Sequence, residues 1–285
     1  MFLNRLHRTL SAFDHATHHW AAIPLHNAHD PITQKRPSAD TIGKQSLSLT
    51  SWNIQASQSG SVARSKLILD HILKGPKFSD IILLQEDDTS FKGLPFATMT
   101  FLSSQRFGSP LLAVEGEGGE KLMLDNVFRM ELPSRYKRDA LCVDIAAPAA
   151  PGAVLRLLNV HLDSLDSYIR RVLQMQVLAG VLREPRSSGG IIAGDFNAIL
   201  PEDHRLVDKF ELLDAWVALH GSMRPDGGAT WGVGVELKGG LKAGRLDKVA
   251  MLGLKPDEIE VLQPGLIEPD RPWSDHCGLR CTFTI

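Results

Sequence analysis

Ten polar residues suited to acid–base, metal or phosphate chemistry fall where short apolar runs end. Asn53 closes the run from Leu47. Gln85 and Glu86 follow Ile81-Ile82-Leu83-Leu84, and His161 and Asp163 follow Val160. Asp195 and Asn197 come after Ile191-Ile192-Ala193-Gly194. Asp247 opens Lys248–Leu252, and Asp275 and His276 precede Gly278–Ile285. Loops at strand ends are where a rigid scaffold presents functional groups. Taken singly, each residue has an ordinary structural use: Glu86 capping a turn, Asp195 forming an Asx turn, His161 hydrogen-bonded in the core. Taken together, the four carboxylates Glu86, Asp195, Asp247 and Asp275 would raise one another's pKa unless a cation neutralised them. The donors are hard oxygens without Cys or paired-His spacing, which points to Mg²⁺ or Mn²⁺ rather than Zn²⁺. Such an ion among carboxylates, amides and a histidine suits hydrolysis of a phosphoryl ester.

The elements that must hold these residues are legible from periodicity. Leu47–Asn53 alternates like a half-buried strand. Ser61 is placed to cap a helix with Val62, Leu67, Ile68, Leu69, Ile72 and Leu73 on one face, ended by Gly75-Pro76. Ile81–Leu84 reads as a strand buried on both faces. Residues 91–130 carry weaker strand signals, with a hairpin turn at Gly116, Gly118 and Gly119. Leu141–Ile145 and Val154–Val160 are two strands joined through a Pro/Gly/Ala turn. A helix from about Asp166 to Leu182 leads to the buried strand Ile191–Ala193, and Lys248–Leu252 and Gly278–Ile285 complete the set. Strands outnumber helices, yet helices recur between them. This predicts an α/β sandwich of two sheets with helices outside, built from two pseudo-symmetric strand–helix–strand halves.

The chain as a whole sets the bounds. Its 285 residues allow one or two domains, and 43% hydrophobic residues suffice for a sizeable core. Lys and Arg number 31 against 33 Asp and Glu, a net charge of −2, which excludes a polybasic coat holding nucleic acid by charge alone. Cys142, Cys277 and Cys281 form no Cys-x-x-Cys pair, as expected in a reducing compartment. The expected location is intracellular, nuclear or cytoplasmic. No apolar run is long enough to span a bilayer, and residues 1–41 lack the apolar stretch of a secretory signal. Arg5 and Arg8 ahead of Asp14 leave mitochondrial targeting open. Residues 1–45 form a His-rich extension (His7, His15, His18, His19, His26, His29) interrupted by Pro24, Pro31 and Pro37; residues 46–285 form the domain. His15, His18 and His19 have helix-compatible spacing, read as a solvated face or a metal-binding cluster.

Six motifs then carry a resemblance. Trp52-Asn53, Leu84-Gln85-Glu86, Asn159-Val160-His161-Leu162-Asp163-Ser164, Gly194-Asp195-Phe196-Asn197, Arg245-Leu246-Asp247 and Ser274-Asp275-His276 resemble, in order, those of the endonuclease/exonuclease/phosphatase superfamily. The resemblance covers the chain from about residue 47 to its end. It implies the four-layer α/β/β/α sandwich of DNase I. Within the superfamily the chain looks most like the 5′-tyrosyl-DNA phosphodiesterase branch. His161-Leu162-Asp163-Ser164 resembles that branch's His-Leu-Glu-Ser, with Arg171 and Gln174 as its Arg-x-x-Gln. Asp214-Ala215-Trp216 ahead of Thr230-Trp231, and Arg245-Leu246-Asp247-Lys248, follow its pattern too. The chain departs from it at Gln55, where a carboxylate is common, and at Phe196, the commoner superfamily residue in place of Thr. No ubiquitin-binding module is recognisable.

What the resemblance implies is a metal-dependent phosphodiester hydrolase. Glu86 is the main Mg²⁺ ligand, with Asn53 and Asp275 near the ion and Mn²⁺ as a substitute. Asp195 orients or deprotonates the attacking water, and Asn197 holds that water or the phosphate. His276 donates to the phosphoryl oxygens, Asp247 holds its ring, and His161 approaches the phosphate from the other side. Arg171, Ser164 and Trp231 are the expected substrate contacts: Arg171 as a phosphate partner or an exposed helix charge, Ser164 as a phosphate contact or a helix cap, Trp231 as a stacking surface. The expected substrate is a phosphodiester, a nucleic acid or protein–DNA adduct such as a 5′-phosphotyrosyl-DNA link. The same site type serves apurinic endonucleases, deadenylases, inositol-phosphate phosphatases and sphingomyelinases, and a silent binding module is the rival outside the enzymes.

Overall fold

The computed structural model describes residues 4–14, 16–23, 25, 45–55, 59–87, 97–109, 121–148, 150–221, 227–237, 239–269 and 271–285. The chain begins with β1 (Arg5–His7) and a ribbon of β2 (Leu10–Asp14) and β3 (His19–Ile23). There follow β4 (Ser46–Asn53), α1 (Ser61–Lys74), β5 (Ile81–Asp87), β6 (Ala97–Leu102), the short β7 (Phe107–Gly108), β8 (Leu122–Glu131) and β9 (Asp139–Ala146). β10 (Val154–His161), α2 (Tyr168–Leu182) and β11 (Ser187–Asp195) come next, then α3 (Leu206–Lys209), β12 (Leu213–Asp214) and α4 (Ala215–His220). The chain ends through β13 (Asp247–Leu252), β14 (Pro256–Leu262), β15 (Leu266–Glu268), β16 (Arg271–Pro272) and β17 (Gly278–Thr284).

Two sheets stack face to face. The larger runs β1-β8-β9-β10-β11-β13-β12, with β7 on β8; the smaller runs β14-β17-β4-β5-β6. Side-chain alternation explains the layering. Leu157 and Ile191 of the large sheet meet Leu49, Ile81 and Leu83 of the small one in the central core. Their neighbours Leu158, Val160 and Ile192 face outward under Met175, Leu178 and Leu182 of α2. On the other side Trp52, Ile82 and Leu84 face outward under Ile68 and Ile72 of α1. Strands covered on both faces must be apolar at every position, which is why Ile81–Leu84 reads as a continuous run. The result is the four-layer α/β/β/α sandwich.

Several local expectations change. The buried face of α1 is Arg64, Ser65, Ile68 and Ile72, whereas Val62 and Leu73 are exposed. Gly60 in the left-handed region (φ 73°), not the Ser61 side chain, leads into the helix. His18 and His19 lie on a hairpin rather than a helix, because β2 and β3 pair antiparallel. His15, His26, His29 and the Gly116–Gly119 turn lie outside the described residues. β1 forms the edge of the large sheet by pairing with β8, where Arg5 bonds Glu184 and lies 4.6 Å over the Phe128 ring.

Candidate active site

Six strand ends meet at one edge of the sandwich. β4 and β5 run parallel with Asn53 opposite Gln85, and β10 and β11 run parallel with His161 opposite Asp195. β13 is antiparallel to β11 and β17 to β4, so the amino ends of these two strands arrive at the same edge, with Asp247 opposite Asp195. The Gln85 amide donates to Asn159 Oδ1 at 2.8 Å, and the Asn159 amide donates to the Leu84 and Met99 carbonyls, joining the two sheets just beneath the site. Gly194 is required here. At φ 142° its Cβ would lie 1.9 Å from the Val160 carbonyl oxygen. Gln55, Glu86, Leu165 and Asn197 all have φ between 47° and 59° in the loops of this edge. Non-glycine residues hold such angles at a cost of about 1–3 kcal/mol each, and four of the seven among the described residues lie in these loops.

Asp195 is at the centre, only 1% exposed. Its Oδ1 accepts the Asn197 backbone N–H at 2.7 Å, and its Oδ2 accepts from the Asn53 amide at 3.0 Å. His161 Nε2 lies 3.4 Å and His276 Nε2 3.8 Å from that same Oδ2. His276 Nδ1 is 2.8 Å from Asp247 Oδ2. Burial opposes charge on His276, but Asp247, Asp195 and Asp275 outweigh it and lift its pKa to about 10. His161 is the opposite case. Burial and the Arg138 guanidinium, countered by Asp195, push it down to about 3. Arg138 approaches His161 Nδ1 at 3.1 Å. A guanidinium only donates, so Nδ1 accepts and the ring proton sits on Nε2, facing Asp195. Burial and the nearby Asp195 raise the Glu86 pKa. The Asn53 amide, at 3.5 Å, and His161 Nε2, at 3.9 Å from Oε1, connect Glu86 to the same cluster.

The sequence model of the Endonuclease/Exonuclease/phosphatase family matches residues 50–249. The chain belongs to this family. Its members are hydrolases acting on phosphoester bonds. No curated protein matches the sequence. Among solved structures, the truncated Caenorhabditis elegans TDP2 is similar over 84% of this chain and 98% of its own, at 22% identity and TM-score 0.62. D. rerio TDP2 complexed with single strand DNA product is similar over the same shares at 19% identity and TM-score 0.62. The human Nocturnin catalytic domain with bound sulfate anion is similar over 88% of this chain and 99% of its own, at 20% identity and TM-score 0.56. These likenesses show the endonuclease/exonuclease/phosphatase fold.

The donors at this edge fit a hard divalent cation. Asp195, Asp247 and His276 offer ligand atoms within 4.8 Å of one another. The short Asp247–His276 bond makes that pair a carboxylate–imidazole dyad through Asp247 Oδ2, and Glu86, Asn53, Asp195 and Asp275 are the other oxygen donors at this edge. Asp275 Oδ1 is buried without a hydrogen-bond partner, and its Oδ2 accepts from the Trp231 indole at 3.0 Å. Clustered carboxylates, one with a raised pKa (Glu86) and two with an orphaned oxygen (Asp247 and Asp275), are what a bound cation relieves.

The remaining expected residues occupy distinct places. Trp231 is partly exposed beside Asp275 and makes an isolated bridge to His276. Ser164 is half-buried in the loop after His161. Arg171 is fully buried in an ion pair with Asp203 at 2.7 Å, so it neither faces solvent nor reaches the cleft as a phosphate partner. Asp163 turns away from the cleft: its carboxylate accepts from Ser134, the Arg135 N–H and the Gln174 amide. The Asn197 amide donates to the Leu162 carbonyl at 3.0 Å. Sequence reasoning missed Arg138, Arg64 and the seat made by Thr230. The Thr230 hydroxyl accepts the Leu246 and Asp247 N–H groups, and its carbonyl accepts that of Cys277. The Ser274 hydroxyl donates to the Asn53 carbonyl and accepts the His276 N–H, while the Trp52 indole donates to the His276 carbonyl. No spacing rule marks Arg138, which shares the Ser134–Arg138 turn with Arg135 and Lys137.

Proposed function

We propose that this chain is a Mg²⁺-dependent phosphodiesterase whose substrate is a DNA 5′ end linked through phosphate to a tyrosine. The observation that carries the chemistry is the Asp195 carboxylate flanked by His161 and His276, with the Asp247–His276 dyad on one side and Glu86 near the other. When bound, Mg²⁺ supplies charge neutralisation and polarises a phosphoryl oxygen; Glu86 would hold it, with Asn53 and Asp275 alongside. Asp195, its second oxygen tied by the Asn197 N–H, takes the proton from the attacking water. His276, kept charged by Asp247, donates from Nε2 to the phosphoryl oxygens as negative charge develops. His161, proton on Nε2, donates from the other side. The Asn197 amide spends one hydrogen on Leu162 and keeps the other for the phosphate or the water. A tyrosine leaves as a phenolate and needs little protonation.

The substrate class is supported by the motif resemblance, by a neighbour that carries a single strand DNA product, and by Trp231. Its indole N–H is anchored on Asp275, which holds an aromatic face at the rim of the cleft. Stacking of a base or tyrosyl ring there is worth about 1–3 kcal/mol. The test is a panel assayed with Mg²⁺ and with Mn²⁺: 5′-tyrosyl oligonucleotide, abasic duplex, poly(A), a phosphoinositide and sphingomyelin. The expected result is a kcat/KM for the tyrosyl substrate at least about tenfold above the others. A flat profile, or a preference for another member, overturns the substrate; no hydrolysis of any member overturns the enzyme reading.

A further inference from the structure

Two buried arginines occupy equivalent places in the two halves of the fold. Arg64 is the fourth residue of α1, which links the parallel strands β4 and β5; Arg171 is the fourth residue of α2, which links β10 and β11. Both are fully buried. Arg64 donates to the Ile54 carbonyl at 2.9 Å, the Gln55 carbonyl at 2.6 Å and the Trp273 carbonyl at 2.7 Å. Arg171 donates to the Asp163 carbonyl at 2.8 Å and the Leu165 carbonyl at 3.0 Å, and grips both oxygens of Asp203 at 2.7 Å. Asp203 Oδ2 in turn accepts the Leu200 N–H at 2.9 Å. Each guanidinium therefore reaches back from its helix to the loop that leaves the preceding strand, and across to the loop of a second motif.

The loops so joined are those of the site. Arg64 ties the loop after Asn53 to the segment entering Asp275-His276. Arg171, through Asp203, ties the loop after His161 to the segment leaving Asp195-Phe196-Asn197. We infer that Arg64 and Arg171 are paired positioning residues: Arg64 sets the metal side of the cleft, Arg171 the side that handles water and phosphate. This rests on the function proposed above. A lysine at either position keeps the charge but has one nitrogen in place of the planar fork, and cannot reproduce bonds made from separate nitrogens, to Ile54, Trp273 and Gln55 by Arg64 or to both oxygens of Asp203 and the Asp163 carbonyl by Arg171. Buried groups that orient the residues of a metal site typically matter by 10–100-fold in metal affinity or activity.

The experiment compares R64K and R171K with the wild-type chain by hydrolysis kinetics and by the rise in melting temperature on titrating Mn²⁺, which needs no turnover. R64K should raise the Mn²⁺ midpoint by about 10-fold or more in both readouts. R171K should leave the melting midpoint within about twofold of wild type while kcat falls by about 10- to 100-fold. Midpoints and kcat within about twofold of wild type in both variants overturn the inference, as does the same loss in both readouts for both variants. Where lysine prevents folding by circular dichroism, R64Q and R171Q replace it. Failure of these to fold as well assigns the arginines to folding and overturns the positioning role. A wild-type chain that binds Mn²⁺ but hydrolyses nothing sinks the functional reading, and the melting titration of R64K still judges the metal-side clamp.

Discussion

Burial disfavours charge on both histidines beside Asp195, and their neighbours set them apart. His276 has a carboxylate on Nδ1 and His161 has a guanidinium there, and the sign of that neighbour decides the protonation state. In EDTA-treated protein, two-dimensional nitrogen–proton spectra of the imidazoles should show His276 as imidazolium up to about pH 9 and His161 neutral with its proton on Nε2. The Nδ1–H tautomer at His161 would contradict the Arg138 contact. H276A should cost about 10²–10³ in kcat, as the loss of a donor to developing charge does elsewhere. E86A should abolish Mg²⁺-dependent turnover with the circular dichroism spectrum unchanged. Full activity in either variant removes that residue from the mechanism.

At the scale of elements, the site depends on strands approaching more closely than side chains allow. Gly194 lets β11 pass the Val160 carbonyl and deliver Asp195 opposite His161. Gly194→Ala adds a clash and a disfavoured backbone angle at once. It should destabilise the fold by about 3 kcal/mol or more in urea unfolding, and a loss under about 1 kcal/mol would show that the strands can part there without harm. The helices matter as carriers of the two arginines as much as for their apolar faces. The small α4 has a related use: Asp214 caps it through the Trp216 N–H and also pairs with Arg245 at 2.9 Å and Lys248 at 3.5 Å, anchoring the strand that presents Asp247.

Across the whole molecule, the near-neutral balance of charge conceals an acidic cleft. A cation that binds the folded chain alone stabilises it, by about 2.7 kcal/mol at a hundredfold excess over Kd. Mg²⁺ or Mn²⁺ should raise the melting temperature, and E86Q should remove most of that rise; an unchanged shift would move the metal away from Glu86. The metal-free protein should also respond to pH in a definite sense. The folded pKa of His161, about 3, lies below its unfolded value of about 6.5. The unfolded chain then binds the extra proton, and stability falls as pH drops from about 6.5 toward 3. His276, at about 10, contributes fully below about 6.5 and loses its contribution as pH rises toward 10. Urea midpoints in EDTA should therefore decline between pH 6.5 and 8, and the decline should flatten in H276Q.

Much of this was legible in the sequence because strand ends are marked by local chemistry. Apolar runs stop where Asn53, Glu86, His161 and Asp195 begin, and periodicity separates the β4-α1-β5 and β10-α2-β11 units. The amphipathic reading of α1 went astray at Val62 and Leu73 because periodicity cannot weigh a buried arginine, whose burial depends on carbonyls brought from other loops. Arg171 illustrates the same limit: its helix spacing allowed a surface charge or a phosphate partner, and Asp203 made it neither. β14 left a faint pattern since, at the sheet edge, only Ile259 of its residues is buried. By itself, the sequence determined which residues are chemically competent, and the order of the elements that carry them. Tertiary structure decided which of them meet, which nitrogen of His161 holds the proton, and which charges serve as struts. Those outcomes depend on contacts between residues far apart in the chain and on burial that strengthens every charge interaction, and neither is written in local spacing.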